Sequence, residues 1–304
     1  MFKAALKRAI VGSLVAITVI GWTVGCSRIH PARSTGPQQP MVKIAIMPRY
    51  SLETMAMRYM PLVKYLSRET GYNVRYISAV GYPGFLSTVE QADADFAFVN
   101  PLAYVVLHKT RGAYPLVTAQ HINFRGGPPL ATYRGVILAR TDLGIDGVAN
   151  LRGKIIAAGP QMAVAGHLAP VAFCRRHGVD VHQQATLVAC PTQEDVLRRL
   201  QQGRADAGFV SEAIWQEAVT GGLAVTGLRP VAYTEPYPGW CICALGDTDP
   251  NMAEIVKEKL LELNWKFLAD RRALRSADVA GFVEARDEDY DIVRQLLADL
   301  EVPY

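Results

Sequence analysis

The stretch that decides the fold is RGKIIAAGPQMAVAGHLAPVAFCRRHGVDVHQQATLVACPTQEDVLRRLQQGRADAGFVSEAIW, residues 152–215. It opens on Lys154-Ile155-Ile156-Ala157, a short apolar run that reads as a strand. Pro160 marks a turn, and the helical pattern after it ends at Gly178, before a second strand. A further turn and helix follow, and Asp206 leads into the apolar strand of GRADAGFV. The same signals recur in MVKIAIMPRYSLETMAMRYMPLVKYLSRETGYNVRYISAVGYPGFLSTVEQADADFAFVNPLAY, residues 41–104. There the strand is Lys43-Ile44-Ala45-Ile46, the turn is at Pro48, the helix stops at Gly71, and Asp95 precedes the last strand. Strand, helix, strand, helix, strand is the order of a parallel α/β layer, and two copies make two lobes.

TYRGVILAR (132–140) lies between the copies and carries the chain from lobe one to lobe two. PGWCICALG (238–246) carries it back. The remainder, 250–304, is helical; IVKEKLLELNWKFL has apolar residues at helical spacing, a face for packing on lobe one. The expected organisation is lobe one at 41–135 and 245–304, and lobe two with the hinge crossovers at 136–244. The fold class is α/β: a two-lobed clamshell of mixed, mostly parallel sheets flanked by helices. Ligands of such sheets sit at the carboxyl ends of strands, beside helix N-termini. In a clamshell those ends face each other, and closure is a hinge motion.

Residues 1–25 have a basic start and an apolar run from Ala9 to Val24, the pattern of a secretory signal. Thr23-Val24-Gly25-Cys26 resembles a bacterial lipobox, which makes Cys26 the lipidation site and 26–40 a polar, Pro-rich tether. An uncleaved N-terminal anchor is the alternative. Either way the protein is expected on the periplasmic or cell-surface side of a bacterial membrane. The net charge is +4, but Lys3, Lys7 and Arg8 belong to the leader, and no basic cluster with interleaved aromatics appears. Nucleic acid is therefore excluded as a partner. GxSxG, HExxH, P-loop and paired-Cys zinc patterns are all missing, so neither an enzyme nor a cofactor is expected.

Signal, tether and α/β repeat together resemble a bacterial extracytoplasmic solute-binding protein of the type II class. GYPGFLSTVEQADADFAFVNPLAYV and the ending RDEDYDIVRQLL resemble the phosphate/phosphite/phosphonate-binding proteins, the PhnD-like family. The resemblance implies a small-molecule ligand between the lobes, with Tyr82 and Tyr104 facing it, and delivery to an ABC permease. A periplasmic sensor kinase domain is the alternative partner. The family's lobe-two helix begins with a Ser-Thr-Ser-Gly run; here, after Met162, the matching residues are Ala163, Val164 and Ala165. A Ser-His pair in the next turn is matched by Thr192-Gln193, a cleft Asp is replaced near Trp240, and Glu212 survives. Three lost hydroxyl donors at about 1–2 kcal/mol each amount to roughly a thousandfold in affinity. The resemblance thus implies the fold, with a ligand less anionic or more apolar than phosphonate. The helix start near Ser51 would supply N–H groups from lobe one.

With Cys26 lipidated, Cys174, Cys190, Cys241 and Cys243 remain, and an oxidising compartment permits disulfides. Cys174 with Cys190 is the expected pair. A second reading places Cys190 and Cys241 at the cleft as a thiol site for a soft metal or metalloid. Met55, Met57 and Met60 read as core or as an adaptable apolar wall, and His121 and His167 lack metal partners at diagnostic spacing.

Overall fold

Each repeat folds in the order of its signals. The computed structural model describes residues 39–304 except Tyr50, Val80, Phe124, Arg125 and residues 222–224, and leaves aside the side chains of Tyr82, Pro83 and Ala269. The signal segment, Cys26 and most of the tether lie outside the described residues. The first repeat runs β1 (Met41–Ile46), α1 (Leu52–Thr70), β2 (Asn73–Ile77), α2 (Gly81–Gln91), β3 (Phe96–Val99) and α3 (Pro101–Arg111), followed by β4 (Tyr114–Gln120). After β5 (Thr132–Arg140), the second repeat runs β6 (Ile155–Ala158), a π-helical turn (Val164–Leu168) continuing as α4 (Ala169–Arg176), α5 (Val181–Gln184), β7 (Thr186–Ala189), α6 (Gln193–Gln201), β8 (Ala207–Ser211) and α7 (Glu212–Thr220). Strands β9 (Leu228–Pro238) and β10 (Cys241–Ala244) lead to α8 (Pro250–Glu262), α9 (Leu268–Ser276), β11 (Gly281–Glu284) and α10 (Asp291–Asp299).

The strands form two sheets, in the orders β11-β4-β10-β3-β1-β2 and β7-β6-β8-β5-β9. The centre of each repeat is parallel: β1 pairs with β2 and β3, and β6 with β7 and β8. Each sheet then takes an antiparallel strand from a crossover, β10 against β3 and β5 against β8. Strand β10 belongs to the first sheet, whereas residues 136–244 were all expected in lobe two. The return passage therefore falls at Gly239-Trp240.

The two Asp signals have the same physical job. Asp95 accepts the backbone N–H of Lys43 at 2.7 Å, and Asp206 accepts that of Ile155 at 2.8 Å. Each carboxylate ties the start of one parallel strand to the start of its neighbour. Gly71 closes α1 in the left-handed conformation, φ 72°, where a Cβ would be strained. Helix α1 buries Met55, Tyr59, Leu62, Val63 and Leu66, one face at helical spacing, against the first sheet.

Strand alternation separates the cores of the second sheet. Ile137 and Ala139 of β5 pack with Cys174, while Val136 and Leu138 pack with Cys190. The two thiols lie on opposite faces of one sheet, so they cannot bridge. All four described cysteines are free, and the expected Cys174–Cys190 disulfide is corrected accordingly. A further cluster spans both lobes: Val164, Leu168, Ala169 and Ala172 join Leu102, Val105 and Leu296.

Candidate functional site

The carboxyl ends of the central strands converge. Past β1 come Met47, Pro48, Arg49 and Ser51; past β3, Asn100; past β6, Gly159 to Ala163; at the end of β8, Ser211 and Glu212. Asn100 caps α3 by accepting the N–H of Ala103 at 2.8 Å. Its amide nitrogen donates across to the carbonyl of Met162 at 3.3 Å, so the turns of the two lobes touch.

The lobe-two helix start is wound wide for a reason visible in its sequence. Pro170 has no N–H, so the carbonyl of Gly166 is released from the helix ladder. That carbonyl accepts the N–H of Gly159 at 2.9 Å instead. The surrounding bonds run five residues back, from Leu168 to Ala163 and from Ala169 to Val164. His167 donates from Nδ1 to the carbonyl of Gly159 at 2.9 Å, and its burial lowers its pKa, which keeps it neutral. Gly135 of β5 is required here: a Cβ would stand 2.7 Å from the carbonyl oxygen of Ala165 and 2.8 Å from the ring of Pro170. Ala163 is the N-cap residue and brings no side-chain hydrogen bond to the helix start.

The hinge supplies a second group of residues. Gly239 threads between the carbonyls of Ala119 and Ala131, which a Cβ would meet at 2.8 and 2.9 Å. This fixes Trp240, whose carbonyl accepts the N–H of Ala119 at 2.7 Å. The indole meets Phe98 edge-on at 5.7 Å, and Phe98 meets Tyr59 edge-on at 5.9 Å. The guanidinium of Arg49 lies 4.9 Å from the Trp240 ring centroid. Arg134 grips Glu212 through two bonds of 2.9 and 3.0 Å and stacks over Tyr233 at 4.9 Å. Burial raises the pKa of Tyr133, and the charge of Arg49 opposes it. Burial lowers that of His121, and Glu212 opposes it.

The expected site residues divide among different roles. Trp240 and Glu212 come to the hinge, the latter paired with Arg134. Ala163, Val164 and Ala165 do form the lobe-two helix start; Val164 is buried in the cluster shared with lobe one, and Ala165 is buried with its carbonyl close to Gly135 of β5. Thr192 caps α6, accepting the N–H of Asp195 at 3.2 Å. Gln193 accepts the N–H of Ser211 at 2.5 Å and lies against Gly159 and Gly166, so it braces the strand ends. Tyr104, expected at the ligand, is wholly buried: its hydroxyl donates to Asp287 at 2.5 Å and its ring lies 4.3 Å from Tyr290. It sits on the inward face of α3, one turn after Asn100, and serves the core. The side chain of Tyr82 lies outside the described residues.

The thiol site is also corrected. Cys190 and Cys241 belong to separate cores, and among the described residues no group of three His, Cys, Asp or Glu converges for a metal. Cys241 and Cys243, two apart on β10, point to the same buried side, as strand alternation requires. Met162 stands at a junction of two cavities. It lines a cavity of about 310 Å³ with His167, Leu168, Val171 and Val302, and another of about 180 Å³ with Leu102 and Val106. The reading of the sequence missed Arg49, Tyr133 and Arg134. Arg49 had a signal: a charged residue between a parallel strand's end and the Ser that starts the next helix.

This geometry is that of a type II periplasmic binding fold. Residues 44–290 match the family described as ABC transporter, phosphonate, periplasmic substrate-binding protein, and the chain belongs to that family. It is 25% identical over 279 residues to the phosphate-import protein PhnD of Mycolicibacterium smegmatis, covering 84% of each chain. Among solved structures it resembles PhnD1 of Prochlorococcus marinus in complex with methylphosphonate, at 17% identity and TM-score 0.73, covering 86% of this chain and 98% of that one. A binding protein component of a Pseudomonas aeruginosa ABC phosphonate transporter gives a TM-score of 0.68 at 17% identity, covering 86% and 87%. These likenesses in structure speak to the fold.

Proposed function

We propose that this chain is the lipid-anchored binding component of an ABC importer, and that its ligand is less anionic or more apolar than phosphonate. Cys26 carries the lipid, residues 27–40 tether the lobes, and the closed form is presented to a permease. Family membership supports the importer role; the leader and lipobox support the anchor.

The observation that carries the ligand reading is the lobe-two helix start. A bound dianion loses its water and needs several charge-assisted hydrogen bonds in return. Here Ala163 offers no cap, Val164 is 2% exposed in an apolar cluster shared by both lobes, and Ala165 is 2% exposed as well. Gln193 and Thr192 are engaged in bracing and capping. Backbone N–H groups of the first turn remain as the donors from this side.

Thermal unfolding of the full chain in detergent tests the reading. A ligand specific to the folded form raises the midpoint by mass action. An uncharged or monoanionic solute is expected to raise it at concentrations where phosphate, phosphite and methylphosphonate do not. A midpoint raised most by the dianions would contradict the ligand reading.

A further inference from the structure

The apolar stretch IVKEKLLELNWKFL (255–268) does not all go to the core. Val256, Leu260 and Leu263 join the cluster under the first sheet, and Trp265 leans on it half-buried. Phe267 and Leu268, at its end, are 62% and 80% exposed. We infer that this corner is a membrane-contact surface: Phe267 and Leu268 enter the interface of an anionic bilayer, and the cations of α9 hold its headgroups. The two residues are not there for the fold. Phe267 is the N-cap of α9 and brings no side-chain hydrogen bond, where Ser or Asp would stabilise the helix. Polar groups close the turn instead. Asp270 accepts the N–H of Asn264 at 3.0 Å, Asn264 accepts that of Lys266 at 2.9 Å, and Arg271 donates from Nε to the carbonyl of Trp265 at 3.0 Å. A turn fixed in this way loses little freedom when its apolar tip is covered.

The charges around the tip name its partner. Along α9, Leu268, Arg271, Arg272 and Arg275 share one face at spacings of three and four, and all are exposed, while Ala273 and Leu274 face the core. Lys266 adds a fourth cation at the turn, also exposed. Among the described residues, no carboxylate pairs with Lys266, Arg271, Arg272 or Arg275. The acids beside them are taken: Glu262 by Lys259, Asp278 by Arg58. Exposed apolar side chains among unpaired cations fit a surface that is apolar within and negative outside, which is a bilayer of anionic lipid. Trp265 beside them is the residue type of that interface.

The place of this corner suits a tethered chain, on the premise of the lipid anchor proposed above. Asn264 bridges to Gly281, which pairs with Gln120 at the carboxyl end of β4. Strand β4 runs the same way as β1, so the corner stands at the cleft end of the first sheet, and the tether joins the other end. Residues 27–40 span at most about 50 Å, and the seven residues of β4 about 24 Å. The tether is long enough to pass the sheet, so the cleft end can turn to the bilayer, where a permease lies.

Flotation and tryptophan quenching test this on the full chain reconstituted into two kinds of vesicle. One is phosphatidylcholine alone; the other is equal parts of phosphatidylcholine and phosphatidylglycerol; each carries a shallow doxyl-labelled lipid. Quenching is expected to be greater in the anionic vesicles, and Trp265→Phe should remove most of that increment. Phe267→Ser with Leu268→Ser should return the quenching to its level in neutral vesicles. Arg272→Gln with Arg275→Gln should lower the ratio of docked to undocked chain about fivefold for each cation removed. These side chains are exposed, so both double variants should unfold at the wild-type temperature. An anionic increment that is absent, or that survives Trp265→Phe or the double Ser variant, overturns the inference. A chain that floats with neutral vesicles but shows no increment keeps the anchor and importer readings and turns this corner toward a protein partner. A chain that floats only with anionic vesicles, and only with Phe267 and Leu268 in place, supports the inference and removes the anchor reading. If it floats with neither, both fall.

Discussion

The two repeats share a plan and differ where their first helices begin. In the first, β1 leads through Pro48 and Arg49 to Ser51, whose hydroxyl accepts the N–H of Thr54 at 3.4 Å, and a regular helix follows. In the second, β6 leads through Pro160 to Ala163, which brings no side-chain cap, and the helix opens with a wide π turn. The first start brings charge and a hydroxyl; the second brings apolar bulk that packs into the opposite lobe. Matched positions elsewhere keep the same work. Asp95 and Asp206 clasp the strands, Asn100 and Ser211 cap the helices after the third strands, and Tyr104 and Trp215 are both buried behind them. The plan is conserved between the lobes by hydrogen bonds that fold the chain, and it diverges where the chain would meet a solute.

The largest effect is expected at Gly135, which serves the second helix start alone. Gly135→Ala drives a methyl into the carbonyl of Ala165 and the ring of Pro170, neither of which can step aside. It should cost about 1–3 kcal/mol in urea unfolding. A neutral result would mean that the π turn is soft and the contrast between the starts is weaker than described.

The shared plan predicts equal costs for the two clasps. Asp95→Ala and Asp206→Ala each strip a backbone N–H of its partner, and each should cost about 1–2 kcal/mol by the same measurement. A difference well beyond that range would show that the repeats resemble each other in outline but not in energetics.

The smallest effect separates Tyr104 from Trp215 by pH. Burial pushes the Asp287 carboxyl up, but hydrogen bonds from Tyr104 and Arg294 outweigh it and hold the pKa below the ordinary 3.8. A lowered folded pKa gives stability that is present above 3.8 and lost as pH falls through the folded value. Asp287 is partly exposed, so the contribution is at most about 1 kcal/mol. Asp287→Asn should be less stable than wild type at pH 6, and the gap should close near pH 2. A gap that persists in acid would assign the loss to packing instead.

Much of the fold was legible because periodicity and punctuation carry it. Pro160, Gly178 and Asp206 mark the second repeat as Pro48, Gly71 and Asp95 mark the first, and each acts locally. The site was legible in part. Ala163 to Ala165 stood out through the hydroxyls expected there. Tyr104 misled because a helix has two faces, and the sequence does not say which one meets the sheet. The Arg134–Glu212 pair joins residues 78 apart in sequence, brought together by the antiparallel pairing of β5 and β8. The disulfide expectation failed because nothing local shows that a sheet stands between Cys174 and Cys190.

The direct test of the central claim, that the second helix start turns the cleft away from phosphonate, is the affinity for methylphosphonate. Calorimetry would compare the wild type with a triple variant, Ala163→Ser, Val164→Thr and Ala165→Ser. Val to Thr keeps the volume, and the Ala to Ser changes each add one oxygen. The wild type should bind no tighter than about 1 mM, and the variant roughly a hundredfold to a thousandfold tighter, as two or three regained donors allow. Micromolar binding by the wild type, unchanged in the variant, would contradict the claim and show that backbone N–H groups alone hold the dianion.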